Sequence, residues 1–216
     1  MFSGLDLAND IVIYLSKYFP HSNLISDDNF NEDVWHARII GVFCSVGSNL
    51  GLMLEVGRKT TDWPFLKEYN VKYKKEKLGR ELNSSFTEID LIYIDAKREV
   101  EICLCEFENS SGKELNRVKD NIIKFCTFSK RKNPSPILGI ISFWCDTGIH
   151  EEKLAIDFIR KVSEKNKIMW WLIIPFFRRQ DDIYWKYTLL TPRGNVEQTS
   201  QDCFLGPHLS LGSIVL

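Results

Sequence analysis

Several things are missing from this 216-residue chain, and each absence removes a class of function. None of its six cysteines forms a C-x-x-C pair, and its four histidines do not bracket them at zinc-finger spacing, so structural zinc is not expected. Cys44, Cys103, Cys105, Cys126, Cys145 and Cys203 read instead as small hydrophobes of a reducing compartment. Cys103 and Cys105 alternate along an apparent strand and would share a face. Long apolar runs are absent too. The longest candidate, Ile168 to Phe177, falls short of the ~18 residues of a membrane span and is followed by Arg178 and Arg179. Met1 to Pro20 lacks the basic start and apolar stretch of a signal peptide. The expected setting is therefore the cytoplasm, with no membrane partner. No G-x-S-x-G elbow, P-loop or G-x-G-x-x-G run exists, which argues against a serine hydrolase, P-loop chemistry and dinucleotide binding. The cysteines have no evident histidine partner for thiol catalysis. An overall basic character is missing as well, with a formal charge of −1, although a local stripe of Lys and Arg could still hold nucleic acid.

What is present is ample core material, 44% hydrophobic and 12% aromatic, in a length that suits one domain. Leu5 to Phe19 has helical spacing and stops at Pro20, and a second helix runs from about Asn31 to Val46 with Val34, Ile39, Val42 and Phe43 inward. Gly51 to Arg58 reads as a short strand. From Thr60 to Ser85 the pattern breaks into lysines mixed with Tyr69 and Tyr73, either a solvated face or a phosphate-contacting insertion. Ile89–Ile94 and Val100–Phe107 flank a turn and form a β-hairpin. A helix from about Lys113 to Phe128 follows, then an all-apolar strand Ile137–Trp144 buried on both faces. A helix over Glu151–Glu164 and a strand pair, Ile168–Phe177 with Ile183–Leu190, complete the chain. Of the adjacent Trp170 and Trp171, one should enter the core and the other the opposite face. The class expected is α/β in the mixed α+β sense, a central mixed sheet flanked by helices.

One constellation carries chemistry. Glu106 and Glu108 alternate on the second hairpin strand, on the face of Val100, Ile102 and Leu104. Asp90 begins the first strand, and in a hairpin the start of one strand lies ~5 Å from the end of the next. Three carboxylates gathered there repel one another unless a cation neutralises them, and an all-oxygen set suits Mg²⁺ or Mn²⁺. The alternative is a set of solvated strand-end acids. Against it stands the apolar run Ile102-Cys103-Leu104-Cys105, which would bury Glu106 at a cost without a partner. His36, beside Trp35 on the second helix, could point at the carboxylates, though a lone histidine of this kind is commonly structural.

Asp90, then Glu106-Phe107-Glu108, then an Asn-Ser-Ser-Gly turn into a helix resembles the PD-(D/E)XK nuclease superfamily. The resemblance implies an αβββαβ restriction-endonuclease-like core over residues 29–145, within a single domain 1–216. Residues 1–28 would be an N-terminal helical arm and 146–216 a C-terminal helix and strands. It implies a Mg²⁺- or Mn²⁺-dependent nuclease acting on DNA rather than RNA, with Asp90 and Glu106 as metal ligands. Glu32 of the preceding helix would be a third ligand, and Glu55 an alternative to it. A homodimer would supply the two sites that duplex cleavage needs. The chain departs from the pattern in having no Pro before Asp90 and Glu108 where the family has Lys. One group of restriction endonucleases also carries Glu there. Otherwise Lys119 or Lys113 of the following helix would supply the positive charge, or the fold persists as an inactive protein that binds nucleic acid or another protein. Arg117, Lys119, Lys124, Lys130, Arg131 and Lys132 are then a candidate phosphate-holding stripe, or simply a solvated helix face.

Overall fold

The computed structural model describes residues 3–21, 32–59, 88–109, 115–129, 132–145, 149–163, 169–180 and 182–207. Four helices appear among them: α1 (Gly4–Tyr18), α2 (Glu32–Asn49), α3 (Asn116–Ser129) and α4 (Ile149–Ser163). The strands are β1 (Met53–Lys59), β2 (Glu88–Asp95), β3 (Val100–Asn109), β4 (Leu138–Cys145), β5 (Trp170–Arg179), β6 (Asp182–Trp185), β7 (Thr188–Leu190), β8 (Val196–Thr199) and β9 (Cys203–Pro207). From α2 to β4 the described elements come in the order helix, three strands, helix, strand. The lysine-rich stretch 60–85 lies outside the described residues.

Ser3 caps α1, its hydroxyl accepting from the Asp6 N–H at 3.1 Å, and Pro20 sits in the short 3₁₀ turn that follows. The strands make one mixed sheet in the order β1-β2-β3-β4-β5-β6-β9, with β7 beside β5 and β8 beside β7. The pairs β1–β2 and β2–β3 are antiparallel, whereas β3–β4 and β4–β5 are parallel. Each parallel step uses a helical crossover, α3 and then α4. Helices α1 and α2 cover one face through Leu7, Ile11, Leu15, Trp35, Ile39 and Phe43. Helices α3 and α4 cover the other through Val118, Ile122, Phe125, Ala155 and Ile159. Strand β4 is buried along its whole length, as its unbroken apolar run requires. No helix among the described residues is long and apolar enough to cross a membrane.

Several local expectations are corrected. Helix α2 continues three residues past Val46; Ile39 and Phe43 point inward as expected and Val42 packs against the same core, but Val34 is exposed and Trp35 takes its place. The segment Ile183–Leu190 is two strands, β6 and β7, paired with successive stretches of β5. Strands β8 and β9 were not anticipated, since neither carries an apolar alternation: every residue of β8 is exposed. Trp171 is buried under α3 and α4, and Trp170 packs against the opposite cluster, as alternation demands.

The hairpin contains a second correction. The β2–β3 register pairs Ile94 with Glu101 but Tyr93 with Cys103, so Ile102 is the extra residue of a bulge. Ile102 therefore packs with Cys103 and Cys105 on the α1/α2 face, and Leu104 lies on the α3/α4 face without it. The bulge resets the alternation just before the acidic residues. Glu106 and Glu108 thus extend from the face that α3 covers.

Candidate active site

The β2–β3 ladder ends at the pair Leu91–Cys105, one step short of Asp90 and Glu106. Beyond that point the strands still run side by side, but side chains replace the backbone bonds. The Phe107 N–H donates to Asp90 Oδ2 at 2.8 Å, and Lys124 Nζ donates to the Glu88 carbonyl. The opening is thus closed by one carboxylate and one ammonium, each satisfying a backbone group that the ladder leaves behind. His36 of α2 reaches the same Asp90 oxygen through Nε2, at 3.2 Å. Its ring stands edge-on to Phe107, with centroids 6.4 Å apart.

Glu106 is 3% exposed and faces Lys124, whose residue is completely buried. Lys124 Nζ contacts Glu106 Oε1 as an ion pair. Burial pushes the Glu106 carboxyl well above the usual carboxylate range. Lys124 opposes that shift, and the Asp90 and Glu108 charges reinforce it. Glu108 is buried to a lesser degree; Asn121 Nδ2 donates to its Oε1 at 2.9 Å and Arg117 Nη1 stands 3.8 Å from its Oε2. Burial raises its carboxyl too; the Asn121 bond works against the rise and the Asp90 charge adds to it. Arg117, Asn121 and Lys124 lie at i, i+4 and i+7, so one polar stripe of α3 is laid over the acids of β3.

The structure therefore brings Asp90, Glu106 and Glu108 together and adds His36, Asn121 and Lys124. It does not assign Lys119 to them: among the described contacts the ion pair with Glu106 is made by Lys124, one helical turn and a residue further on. Lys124 is in turn no part of a solvated stripe. Lys113, Lys130 and Arg131 lie outside the described residues, and so does the Glu32 side chain, although Glu32 begins α2. Glu55 belongs elsewhere. It accepts from Arg58 Nε at 2.7 Å, and Arg58 Nη1 goes on to Glu101 at 2.6 Å, which commits Glu55 to a separate ion network. Cys103 and Cys105 face the other side of the sheet with their sulfurs 3.8 Å apart.

Among the described residues no three His, Cys, Asp or Glu side chains converge as a ready-made metal cage. Mg²⁺ does not require one, since it commonly takes one or two carboxylates and completes its shell with water and substrate phosphate. The donor set here is oxygen-only. One buried oxygen of the group, Asn121 Oδ1, receives no hydrogen bond, while Glu106 Oε1 is taken up by the Lys124 ammonium. Asp90 and Glu106, on adjacent strands where the ladder opens, are the pair that fits.

No protein-family model matches the chain, and no curated protein does. Among solved structures it is similar to the central domain of yeast acetyl-CoA carboxylase, at 11% identity and a TM-score of 0.39, over 85% of this chain and 29% of that one. A likeness so distant transfers neither fold nor function.

Proposed function

We propose that the chain is a metal-dependent nuclease of the PD-(D/E)XK type that hydrolyses phosphodiester bonds in DNA. The observation that carries this reading is the placing of Asp90 and Glu106 side by side where β2 parts from β3, with Glu108 further along β3 and the buried ammonium of Lys124 paired to Glu106. The family pattern has Lys at the position of Glu108. Here a lysine from the next helix reaches Glu106, so the cation is supplied from α3 rather than from β3.

Asp90 and Glu106 would hold Mg²⁺ or Mn²⁺. Such an ion, when bound, polarises a phosphoryl oxygen and lowers the pKa of its water. The chain's own residues do the rest. The Phe107 N–H fixes Asp90, Lys124 balances charge at Glu106, and Asn121 with Arg117 orients Glu108. Arg117, largely exposed beside Glu108, is the cation available to a phosphate backbone. The reading places the protein in the cytoplasm, with DNA as partner and a homodimer as the arrangement for cutting both strands.

Titration calorimetry with Mn²⁺ tests the site directly. The wild type should bind Mn²⁺ and Asp90→Ala should lose at least tenfold in affinity; equal binding by the two would refute the assignment. One observation favours a second reading, a nuclease-fold protein that binds DNA without cutting it: Glu106 and Lys124 are both closed off from solvent and spent on each other.

A further inference from the structure

We infer that His36 is a positioning residue that sets the orientation of the Asp90 carboxylate, an inference that rests on the nuclease reading of the site. An ionised carboxylate can only accept, so the 3.2 Å contact between His36 Nε2 and Asp90 Oδ2 puts the ring proton on Nε2. Asp90 Oδ2 then receives two donors, the Nε2–H from α2 and the Phe107 N–H from β3 at 2.8 Å. Both bonds fall on one oxygen. Together they tie the carboxylate to two elements on different layers of the fold and fix its plane, which leaves Oδ1 as the oxygen to present to a cation.

The histidine is itself held. Its ring packs edge-on to Phe107, and Phe107 packs on Phe43 of the same helix at 4.8 Å between centroids. Trp35, its neighbour in sequence, is buried against Phe176 with centroids 5.7 Å apart, which anchors this turn of α2 to β5. The helix is thus locked to the sheet on either side of His36. An acid from this helix is what the family resemblance calls for. At His36 the helix offers a donor to the ligand instead. Hydrogen bonds of this kind to ligating carboxylates typically matter by about 10–100-fold in metal affinity or activity.

The test pairs His36→Ala with His36→Gln, whose amide NH₂ stands near the place of Nε2–H. Mn²⁺ affinity by calorimetry should fall about 10–100-fold in His36→Ala and recover to within a few-fold of wild type in His36→Gln. Gln that fails to restore affinity while the protein stays folded by circular dichroism would overturn the inference, because a direct ligand or a purely structural ring would behave so. A second readout needs neither metal nor activity. Long-range ¹⁵N–¹H correlation of the metal-free protein should show His36 as the Nε2–H tautomer, and Asp90→Asn should shift its ring resonances. A ring in mixed tautomers, unchanged by Asp90→Asn, would overturn the inference on its own. Failure of the wild type to bind Mn²⁺ would remove the nuclease reading, and the tautomer measurement would still decide whether His36 holds Asp90.

Discussion

At the scale of single residues, Glu106 and Lys124 are an unequal pair. Glu106→Gln leaves a fully buried ammonium without its carboxylate, and breaking a buried pair in this way costs about 3–5 kcal/mol. Lys124→Met is expected to cost less, about 1–3 kcal/mol, because Glu106 is already pushed toward its neutral form by burial and can take up a proton. The double variant should recover part of the loss. Urea unfolding at pH 7 measures all three, and equal, strictly additive costs would show that the two side chains are not coupled. Asp90, Glu106 and Glu108 were legible in the sequence because strand alternation and hairpin geometry place acids predictably. The pairing of Lys124 with Glu106 was not, since Lys124 reads in the sequence as one of several lysines and arginines on or beyond this helix. The spacing of Lys124 from Arg117 and Asn121 held the signal, a polar stripe at i, i+4, i+7 on the helix that follows the acids.

Strand β3 shows what an element adds to its residues. It carries three glutamates, one with its carboxyl shifted down, Glu101, and two shifted up, Glu106 and Glu108. At Glu101 burial tends to raise the pKa, but hydrogen bonds from Lys132 at 2.7 Å and Arg58 at 2.6 Å outweigh it, and the net shift is downward. Its contribution is therefore present above the ordinary carboxylate pKa and is lost as pH falls through the lowered one. Glu101→Gln should destabilise by about 1 kcal/mol at pH 7 and by progressively less in acid. Glu106 has the reverse sign. Its raised pKa adds a penalty that is absent in acid and grows as pH climbs from the ordinary carboxylate range through the raised value. The wild type should lose stability over that window and Glu106→Gln should lack that slope, which denaturation curves at a series of pH values would reveal. Parallel slopes in both variants would contradict the account. The hairpin itself was readable, because two β-rich runs flank a polar turn. The bulge at Ile102 was not, since one extra residue leaves no mark on composition, yet it decides which side of the sheet Ile102 occupies.

For the whole molecule, the layered architecture followed from periodicity: amphipathic helices, an alternating hairpin, and one strand apolar throughout. The sequence could not show how β5 serves two partners in succession. That depends on the chain turning at Lys186 and Tyr187, where a break in pairing between β6 and β7 looks in sequence like one continuous strand. Nor could it show the tie between α4 and this region, where Thr188 Oγ1 donates to the buried Glu152 at 2.6 Å and Lys186 pairs with the same carboxylate. The sheet and its two helical layers hold β2, β3 and α3 in fixed relation, and only that relation gathers acids from two strands and a lysine from a helix. DNA cleavage is the activity proposed for these residues. The decisive measurement is incubation of linear, circular and single-stranded DNA with Mg²⁺ or Mn²⁺, comparing the wild type with Asp90→Asn and Lys124→Met, each verified as folded. The account predicts cutting by the wild type, none detectable with Asp90→Asn, and a loss on the order of 10²–10³-fold with Lys124→Met. Bound but uncut DNA with the wild type would contradict it and leave a protein that only binds DNA.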